Sequence, residues 1–349
     1  MRLSVIIPYY NGEKFITQAI RSFIEQHMED AELILVDDGS TDHIHEILAR
    51  YSYFQNLKYF RTENRGAAAA RNFGMLNARG NWIVFLDQDD LLLPNSLTYI
   101  LDTVDLNGEI IFTPKCFCDV MLTKHARIIM PEKLKKIKHH IPATEFWVCI
   151  VKRQFLINEK IHFYEGMVDV ESSFRYQLFS KSRKVIRITD KAFYLQRNNL
   201  NSSSHTWNKI KLLYSKASIY FDLYSHTIIN ADKNYLLKVA YFQYLEARKH
   251  HETNLSSDDC KVYEELMRLG VTMEQSISTT PRAIRIAAMR IDYFLCNGVN
   301  YLRKLKNKVK NQQNAVDATG ESCSEDELMF RLAKINEDIR IRLLRIEQA

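Results

Sequence analysis

An acidic cluster at Asp87, Asp89 and Asp90 follows directly on the apolar run from Trp82 to Leu86. At an effective dielectric constant near 20, two carboxylates about 5 Å apart repel each other by about 3 kcal/mol, so a cation among them would stabilise the cluster. Carboxylate oxygens with no nearby His or Cys favour Mg²⁺ or Mn²⁺, which complete their coordination with water and substrate phosphates. The alternative is a solvated loop in which Asp89 or Asp90 caps a helix that begins near Pro94.

A second pair of acids, Asp37 and Asp38, follows another apolar run, from Glu32 to Val36. If both runs are neighbouring parallel strands, the two clusters meet at the edge of the sheet where ligands of such folds bind. One carboxylate would accept hydrogen bonds from a base or ribose and the other would hold a diphosphate through the metal, which fits a nucleotide-diphosphate ligand. The sequence has neither a GxGxxG fingerprint after its first strand nor a GxxxxGK[ST] loop, which argues against a dinucleotide fold and a P-loop ATPase.

The elements that must position these acids alternate between strand-like and helix-like patterns over the first hundred residues. Apolar runs typical of buried strands lie at Leu3–Pro8, Glu32–Val36, Leu57–Phe60 and Trp82–Leu86. Helical spacing from Phe15 to Ile24 and a small-residue segment from Ala67 to Ala78 separate them. Parallel strands need crossover connections, and helices on both faces explain runs without alternation. We therefore predict an α/β fold, with a Rossmann-like, mostly parallel sheet flanked by helices over residues 1–205.

The rest of the chain is predicted to be helical. Residues 206–311 form a helical region in which one helix face combines Ile210, Leu213, Tyr214, Ala217, Tyr220, Phe221 and Tyr224. A later helix, capped at Ser257, is expected to stop at Gly270. Residues 312–349 are predicted to be a polar linker followed by a terminal helix.

The composition is typical of a globular protein, with 349 residues, 46% hydrophobic and 26% charged, and a formal charge of +6. The first apolar run is too short for a signal-peptide core, and no run approaches the roughly 18 apolar residues of a membrane span, so we expect a cytosolic location. The six cysteines lack the paired spacing of a zinc site and are too sparse to indicate a disulfide framework.

Positive charge is concentrated in the segment 281–311, which also has an apolar helical face. This segment either lies as a peripheral amphipathic helix on the inner face of an anionic cell membrane or packs on the domain formed by residues 1–205. Because no aromatic platform for base stacking accompanies it, a nucleic-acid partner is disfavoured. Apolar residues near heptad spacing at 326–349 suggest a homo-oligomer as a further hypothesis.

Four successive segments resemble the signatures of the family 2 glycosyltransferases: VIIPYYN at 5–11, VDDGSTD at 36–42, NRG and ARN within 64–72, and FLDQDD at 85–90. Both their order and their spacing match, and the resemblance continues less clearly to about residue 205. It implies a GT-A fold, a nucleotide-sugar donor, a divalent metal (Mn²⁺ or Mg²⁺) and inversion at the anomeric carbon by direct displacement.

The resemblance also implies roles for individual residues. Those implied to bind the donor nucleotide are Pro8, Asn11, Asp38, Arg71, Asp87 and Arg197. Among them, Asp38 would accept from the uracil ring and Arg197 would neutralise the departing diphosphate, unless Arg197 is simply solvent-facing. Asp89 is the leading metal ligand and Asp90 a ligand or support. His205 could reach the metal or a phosphate, or it is an ordinary surface histidine.

An inverting transfer also needs a base that removes the proton of the acceptor hydroxyl. In the family this base is usually the aspartate of a Glu-Asp pair, in surroundings that the segment 163–174 resembles. Counting back from Phe174 puts Glu171 at the base position and Val170 where the pair's glutamate would be. This departure from the pattern leaves Asp169 as the alternative base. Both acids could instead be surface carboxylates that the dipole at a helix start favours.

Taken together, these features predict an inverting, metal-dependent transferase that moves a hexose or N-acetylhexosamine from a UDP-sugar to a glycan or lipid-linked acceptor. Its expected destination is a bacterial surface polysaccharide, either lipopolysaccharide or capsule. A nucleotidyltransferase would need a glycine-rich, basic phosphate loop after the first strand, which the sequence scarcely supplies. A catalytically degenerate domain that binds a glycan or organises a membrane complex is the competing hypothesis from another class.

Overall fold

The computed structural model describes residues 1–103, 106–119, 127–129, 146–188, 192–198, 209–227, 230–248 and 257–278. All of these belong to one compact unit, Met1–Ile284. His205, the basic segment 281–311 and the terminal segment 326–349 lie outside the described residues. The predictions made for them, and the predicted domain boundaries, stay predictions.

Strands and helices alternate along the first half of the chain. The described strands are β1 (Leu3–Tyr9), β2 (Ala31–Asp37), β3 (Leu57–Arg61), β4 (Trp82–Phe85), β5 (Leu91–Leu92), β6 (Ile110–Phe112), β7 (Lys115–Asp119), β8 (Arg127–Ile129), β9 (Cys149–Lys152), β10 (Val185–Arg187) and β11 (Tyr194–Asn198). The described helices are α1 (Glu13–Ile24), α2 (Ile44–Ala49), α3 (Ala67–Asn77), α4 (Ser96–Thr103), α5 (Arg153–Asn158), α6 (Glu171–Lys181), α7 (Lys209–His226), α8 (Asn230–Arg248) and α9 (Ser257–Ser278). The four predicted strands correspond to β1–β4.

A seven-stranded sheet with the order β10-β6-β9-β4-β1-β2-β3 forms the centre of the fold. Its strands are parallel except β9, which runs antiparallel to both β4 and β6. Every residue of β1, β2 and β4 is buried, as expected for strands covered on both faces. This confirms the predicted α/β architecture. The register pairs Tyr9 with Asp37 and Ile6 with Phe85, so β1, β2 and β4 end at one edge.

A second, four-stranded sheet has the order β5-β11-β7-β8. Within it, β11 is antiparallel to β5, the short strand immediately after the acidic cluster, and parallel to β7. This pairing brings Tyr194 and Arg197 of β11 into hydrogen-bond contact with Asp90 of the acidic cluster, although more than a hundred residues of chain separate them.

The helical region packs around its own apolar cluster. The predicted face of α7 is confirmed, because Ile210, Leu213 and Ala217 are buried in that cluster and the four aromatic members of the face pack against it. The predicted end at Gly270 is wrong, since α9 continues to Ser278. A Cβ at Gly270 would lie 2.0 Å from Tyr244 of α8. The glycine therefore admits a neighbouring ring into the middle of the helix.

Within the part of the chain that the structure describes, no helix combines the length and the apolar character needed to cross a bilayer.

Candidate active site

The loops after β1 and β2 are tied together by Asn11 at the carboxyl edge of the sheet. Its backbone N–H donates to Ser40 Oγ at 3.0 Å, and its side-chain Oδ1 accepts from the N–H of Thr41 at 2.8 Å. Asn11 adopts a φ of +45°, a left-handed conformation that asparagine tolerates better than most residues. Pro8 is buried within β1, in register with Val36. Both residues thus lie at the carboxyl end of β1, and the nucleotide contacts predicted for them stay predictions.

The neighbouring acids Asp37 and Asp38 have different surroundings. Burial opposes ionisation of Asp37, but hydrogen bonds from Ser40 and Tyr59 and the charge of Arg61 outweigh it and lower its pKa. Asp37 therefore joins the loop after β2 to β3.

Asp38 is held by the turn that precedes α3. Its two carboxylate oxygens accept the backbone N–H groups of Arg65 and Gly66, at 2.8 and 2.7 Å. Since a carboxylate offers about four acceptor sites, two remain for a further donor such as a uracil N–H. The uracil contact of Asp38 stays a prediction.

The three carboxylates of the acidic cluster occupy three different environments. Asp87 is 30% exposed and its Oδ1 accepts from Arg71 Nη2 at 2.7 Å. Asp89 is partly exposed. Asp90 is buried, and its oxygens accept from the hydroxyl of Tyr194 at 2.6 Å and the backbone N–H of Arg197 at 2.7 Å. Burial, together with the charges of Asp87 and Asp89, raises the pKa of Asp90 well above its ordinary value.

Tyr194 contacts the acidic cluster, although the sequence indicated no role for this residue itself. Its buried hydroxyl donates to Asp90 and accepts from the backbone N–H of Asp87 at 3.2 Å, so it braces both ends of the acidic cluster. Burial and the charges of Asp90 and Asp87 raise the pKa of Tyr194. No local pattern around β11 marks this residue, because its partners lie on the other side of the sheet pairing.

We expect Tyr194→Phe to lower the free energy of unfolding by about 1–3 kcal/mol, the cost of leaving a buried acceptor without its donor. Urea unfolding measures this difference, with Tyr53→Phe as the matched control because Tyr53 is 70% exposed. Equal unfolding midpoints for Tyr194→Phe and the control would contradict the bracing role.

Arg71 lies between Asp87 and Glu171. Its side chain is only 6% exposed, with Nη2 on Asp87 and Nη1 3.8 Å from Glu171 Oε1. Its guanidinium stands 5.2 and 5.3 Å from the ring centres of Phe146 and Phe163, within the range of cation–π attraction. Its Nε has no hydrogen-bond partner among the described residues. Arg71 thus links two predicted site carboxylates, while the nucleotide contact predicted for it stays a prediction.

The two candidate bases differ in their partners. Glu171, the first residue of α6, is 28% exposed, and burial raises its pKa despite the opposing charge of Arg71. Asp169 adopts a φ of +53° and forms an ion pair of 2.6 Å with Lys216 of α7. The geometry therefore favours Glu171 as the acid that faces the acidic cluster and Asp169 as a residue engaged by the helical region.

Asn72 fixes the loop that leads to these acids. Its side chain donates to the carbonyl of Phe163 at 2.8 Å and accepts from the N–H of the same residue at 2.9 Å. Glu165 then accepts from Asn72 at 3.0 Å and from Arg65 at 2.6 Å. Asn72 belongs to the ARN segment, but no role was predicted for it. The amide of Asn72 supplies one donor and one acceptor, so it can bond both the N–H and the carbonyl of Phe163, as a neighbouring strand would.

Arg197 is buried beneath the acidic cluster. Its Nε donates to the carbonyl of Asp89 at 2.8 Å, its Nη2 donates to Gln18, and its guanidinium stands 4.9 Å from the ring centre of Phe15. The interpretation of Arg197 as a solvent-facing side chain is therefore wrong. The predicted diphosphate contact is not among these interactions and stays a prediction.

The carboxylate oxygens of the acidic cluster fit a divalent cation whose coordination is completed by the substrate. Asp87 and Asp89 carry partly exposed carboxylate oxygens, and Mg²⁺ commonly binds through one or two carboxylates plus phosphate oxygens. Asp90 fits the supporting role better, because both its oxygens already accept hydrogen bonds. In the described ranges, no three His, Cys, Asp or Glu side chains are placed so that together they could hold one metal ion, so phosphate and water would have to supply the remaining ligands.

Comparison with known proteins places the first half of the chain in a family. Residues 4–166 match the model of "Glycosyl transferase family 2". An uncharacterized glycosyltransferase of Rickettsia conorii is 41% identical over 109 residues, which are 31% of this chain and 18% of the relative. The minor teichoic acid biosynthesis protein GgaB of Bacillus subtilis is 30% identical over 260 residues, 69% of this chain and 28% of GgaB. The chain thus spans less than a third of either relative.

A solved structure shows the same fold. Residues 1–349 of TarS from S. aureus, in complex with UDP-GlcNAc, superpose with a TM-score of 0.59 at 19% identity, over 81% of this chain and 83% of TarS. The family match covers β1, β2 and the acidic cluster and ends before Glu171 and β11. Sequence match, motif order and fold therefore agree, and the segment 4–166 of this chain is a match to the family 2 glycosyltransferases.

Proposed function

We propose that the chain is an inverting, metal-dependent transferase that moves a hexose or N-acetylhexosamine from a UDP-sugar to a glycan or lipid-linked acceptor. The observation that carries this proposal is the sequence of contacts from Asp87 through Arg71 to Glu171. It brings a carboxylate suited to a metal-bound diphosphate and a carboxylate suited to proton removal within 4 Å of one buried cation. Asp38 and Asn11 border the same sheet edge, where the uridine would bind.

In this mechanism, Glu171 accepts the proton of the acceptor hydroxyl while that oxygen attacks the anomeric carbon. The bond between the anomeric carbon and the diphosphate oxygen breaks in the same step, and UDP leaves. A single displacement from the opposite side inverts the anomeric configuration. The raised pKa of Glu171 makes it a stronger base than an exposed glutamate. Arg71 attracts both Asp87 and Glu171 through its guanidinium.

A divalent cation bound by Asp89 and Asp87 would neutralise charge on the diphosphate. We expect Asp89→Ala to weaken UDP binding in Mn²⁺ by about 10- to 100-fold, since a charged contact contributes about 1.5–3 kcal/mol. Calorimetry with and without EDTA measures the effect. Asp30→Ala is the control, because Asp30 is exposed and precedes β2 at the opposite edge. Equal UDP affinity of Asp89→Ala and the control in Mn²⁺ would contradict the metal-binding assignment.

The donor can be identified without knowing the acceptor. The purified chain is incubated with each common UDP-sugar and Mn²⁺, and UDP release by slow donor hydrolysis is measured. UDP-GlcNAc is tried first, because the TarS fold accommodates it. Metal-dependent release from one donor supports the proposal. Absence of any UDP or UDP-sugar binding would favour the competing hypothesis of a degenerate glycan-binding or scaffold protein.

The acceptor we propose is a bacterial surface glycopolymer. GgaB is named for minor teichoic acid biosynthesis, which adds teichoic acid to the predicted lipopolysaccharide and capsule. A lipid-linked acceptor would suit a basic segment at 281–311 that lies on the membrane's inner face. The segment 326–349 is proposed as the element of self-association.

A further inference from the structure

Helix α7 has two apolar faces, of which only one was predicted from the sequence. At about 100° per residue, Ile210, Leu213 and Ala217 point toward the helical cluster. Ile219 and Leu223 lie on the opposite side and belong to the core of the sheet domain instead. The helix is therefore shared by both apolar clusters of the described unit.

The second face of α7 also makes three polar contacts with one loop of the sheet domain. Ser215 Oγ accepts from the backbone N–H of Val168 at 3.1 Å, and Lys216 Nζ lies 2.6 Å from Asp169 Oδ2. Asp222 Oδ2 accepts from the hydroxyl of Tyr164 at 2.7 Å. Ser215 and Asp222 are seven residues apart, so they lie on one side of the helix. The three contacts hold residues 164–169 at both ends.

That loop is conformationally demanding and leads directly to the candidate base. Gly166 and Asp169 both have positive φ, +73° and +53°. A non-glycine residue in the left-handed region costs free energy that its surroundings must offset. The chain passes from Asp169 through Val170 into Glu171, the first residue of α6. The backbone at Asp169 therefore sets the position from which Glu171 starts.

We infer that α7 holds the loop 164–169 in the conformation in which Asp169 has a positive φ, and that it thereby positions Glu171. Ser215, Lys216 and Asp222 are the positioning residues. The inference rests on the proposed function, because it takes Glu171 as the base. It gives the helical region a part in catalysis that requires no contact with substrate. It also gives Asp169 a role other than that of the alternative base, because Asp169 is the loop residue that pairs with Lys216 of α7.

The test compares Lys216→Met, Lys216→Arg and Asp169→Asn in the full chain. Hydrogen–deuterium exchange of residues 163–171 should be severalfold faster in Lys216→Met and return toward wild type in Lys216→Arg. For UDP-sugar turnover by Lys216→Met, we expect kcat to fall about tenfold with the donor KM unchanged. Displacement of a catalytic group by about 1 Å can lower the rate about 100-fold, so a smaller displacement of Glu171 suffices for this loss. Lys209→Met, on an exposed residue of the same helix, is the control.

The comparison of variants separates an anchor from a base. If Lys216 and Asp169 act as one pair, Lys216→Met and Asp169→Asn lower kcat equally and the double variant falls no further. A far larger loss in Asp169→Asn, with Lys216→Met at the wild-type level, would make Asp169 the base and overturn the inference. Ser215→Ala provides a second, smaller perturbation that should also speed exchange at Val168.

Exchange and turnover also separate the inference from the proposed function. Unchanged exchange of residues 163–171 in Lys216→Met and Ser215→Ala overturns the inference whatever the donor assays give. Faster exchange with an unchanged kcat overturns it as well. Failure of the wild-type chain to bind any UDP-sugar contradicts the proposed function, and the exchange data then decide independently whether α7 holds the loop.

Discussion

Replacing Glu171 with Gln should lower the transfer rate by about 10²- to 10⁴-fold, the range for loss of a general base. The substitution keeps the size of the side chain and removes only its ability to take a proton. UDP affinity should stay at the wild-type value, because the nucleotide contacts proposed for Asp38 and Asn11 are untouched. UDP release with a panel of glycan acceptors, together with calorimetric UDP binding, measures both quantities.

The pH dependence provides an independent check on the same residue. Glu171 acts as the carboxylate, and burial raises its pKa. As the pH decreases, activity should therefore begin to fall at a higher pH than it would with an unperturbed glutamate, whose pKa is about 4.3. This acid limb should disappear in Glu171→Gln. Full transfer activity of Glu171→Gln, or an acid limb that persists unchanged in it, would assign proton removal to another group.

Replacing Arg71 with Met should be the most destabilising of the substitutions considered. It leaves Asp87 and Glu171 facing each other without the cation between them. We expect the free energy of unfolding to fall by about 3 kcal/mol at neutral pH, the lower end of the range for breaking a buried pair, because both carboxylates are partly exposed. Urea unfolding measures this, with Arg21→Met on an exposed position of α1 as the control.

The effect of Arg71→Met should also depend on pH in a defined direction. The charge of Arg71 lowers the pKa of Glu171, so its removal raises that pKa further. Protonation of the carboxylate as the pH falls removes the repulsion, and the difference from wild type should shrink in mildly acidic solution. Adding Asp87→Asn should recover part of the lost stability at neutral pH. A constant difference across pH would indicate lost packing on Phe146 and Phe163 instead.

The central strands were predictable because burial on both faces leaves a readable signature in the sequence. β1, β2 and β4 appear as uninterrupted apolar runs, and the polar residues that follow each run mark the sheet edge. Chain order does not determine which strands become neighbours, however. β9 inserts antiparallel between β4 and β6, and its four residues, CIVK, carry no sign of their direction. The second sheet was not predicted either, because its strands are also brought together from distant parts of the chain.

The site was predictable in its residue types and less so in its contacts. Asp87, Asp89, Glu171 and Arg71 were named from motif positions, but the motifs did not reveal that Arg71 joins two of these acids. Asp169 and Glu171 are two residues apart and look alike in sequence. They differ through Lys216 and Arg71, which lie far away in the chain. Local pattern identifies candidates, whereas partners distant in sequence decide their roles.

The dependence of Asp90 on β11 has a consequence for how the protein is made. Its two hydrogen-bond donors, Tyr194 and Arg197, follow it by 104 and 107 residues. Contacts that close such long loops form slowly compared with local ones. A chain that has left the ribosome only as far as residue 166, where the family match ends, contains every acid of the cluster and neither of these donors. During synthesis, the chain therefore acquires the acidic residues before it acquires the two donors that hold Asp90.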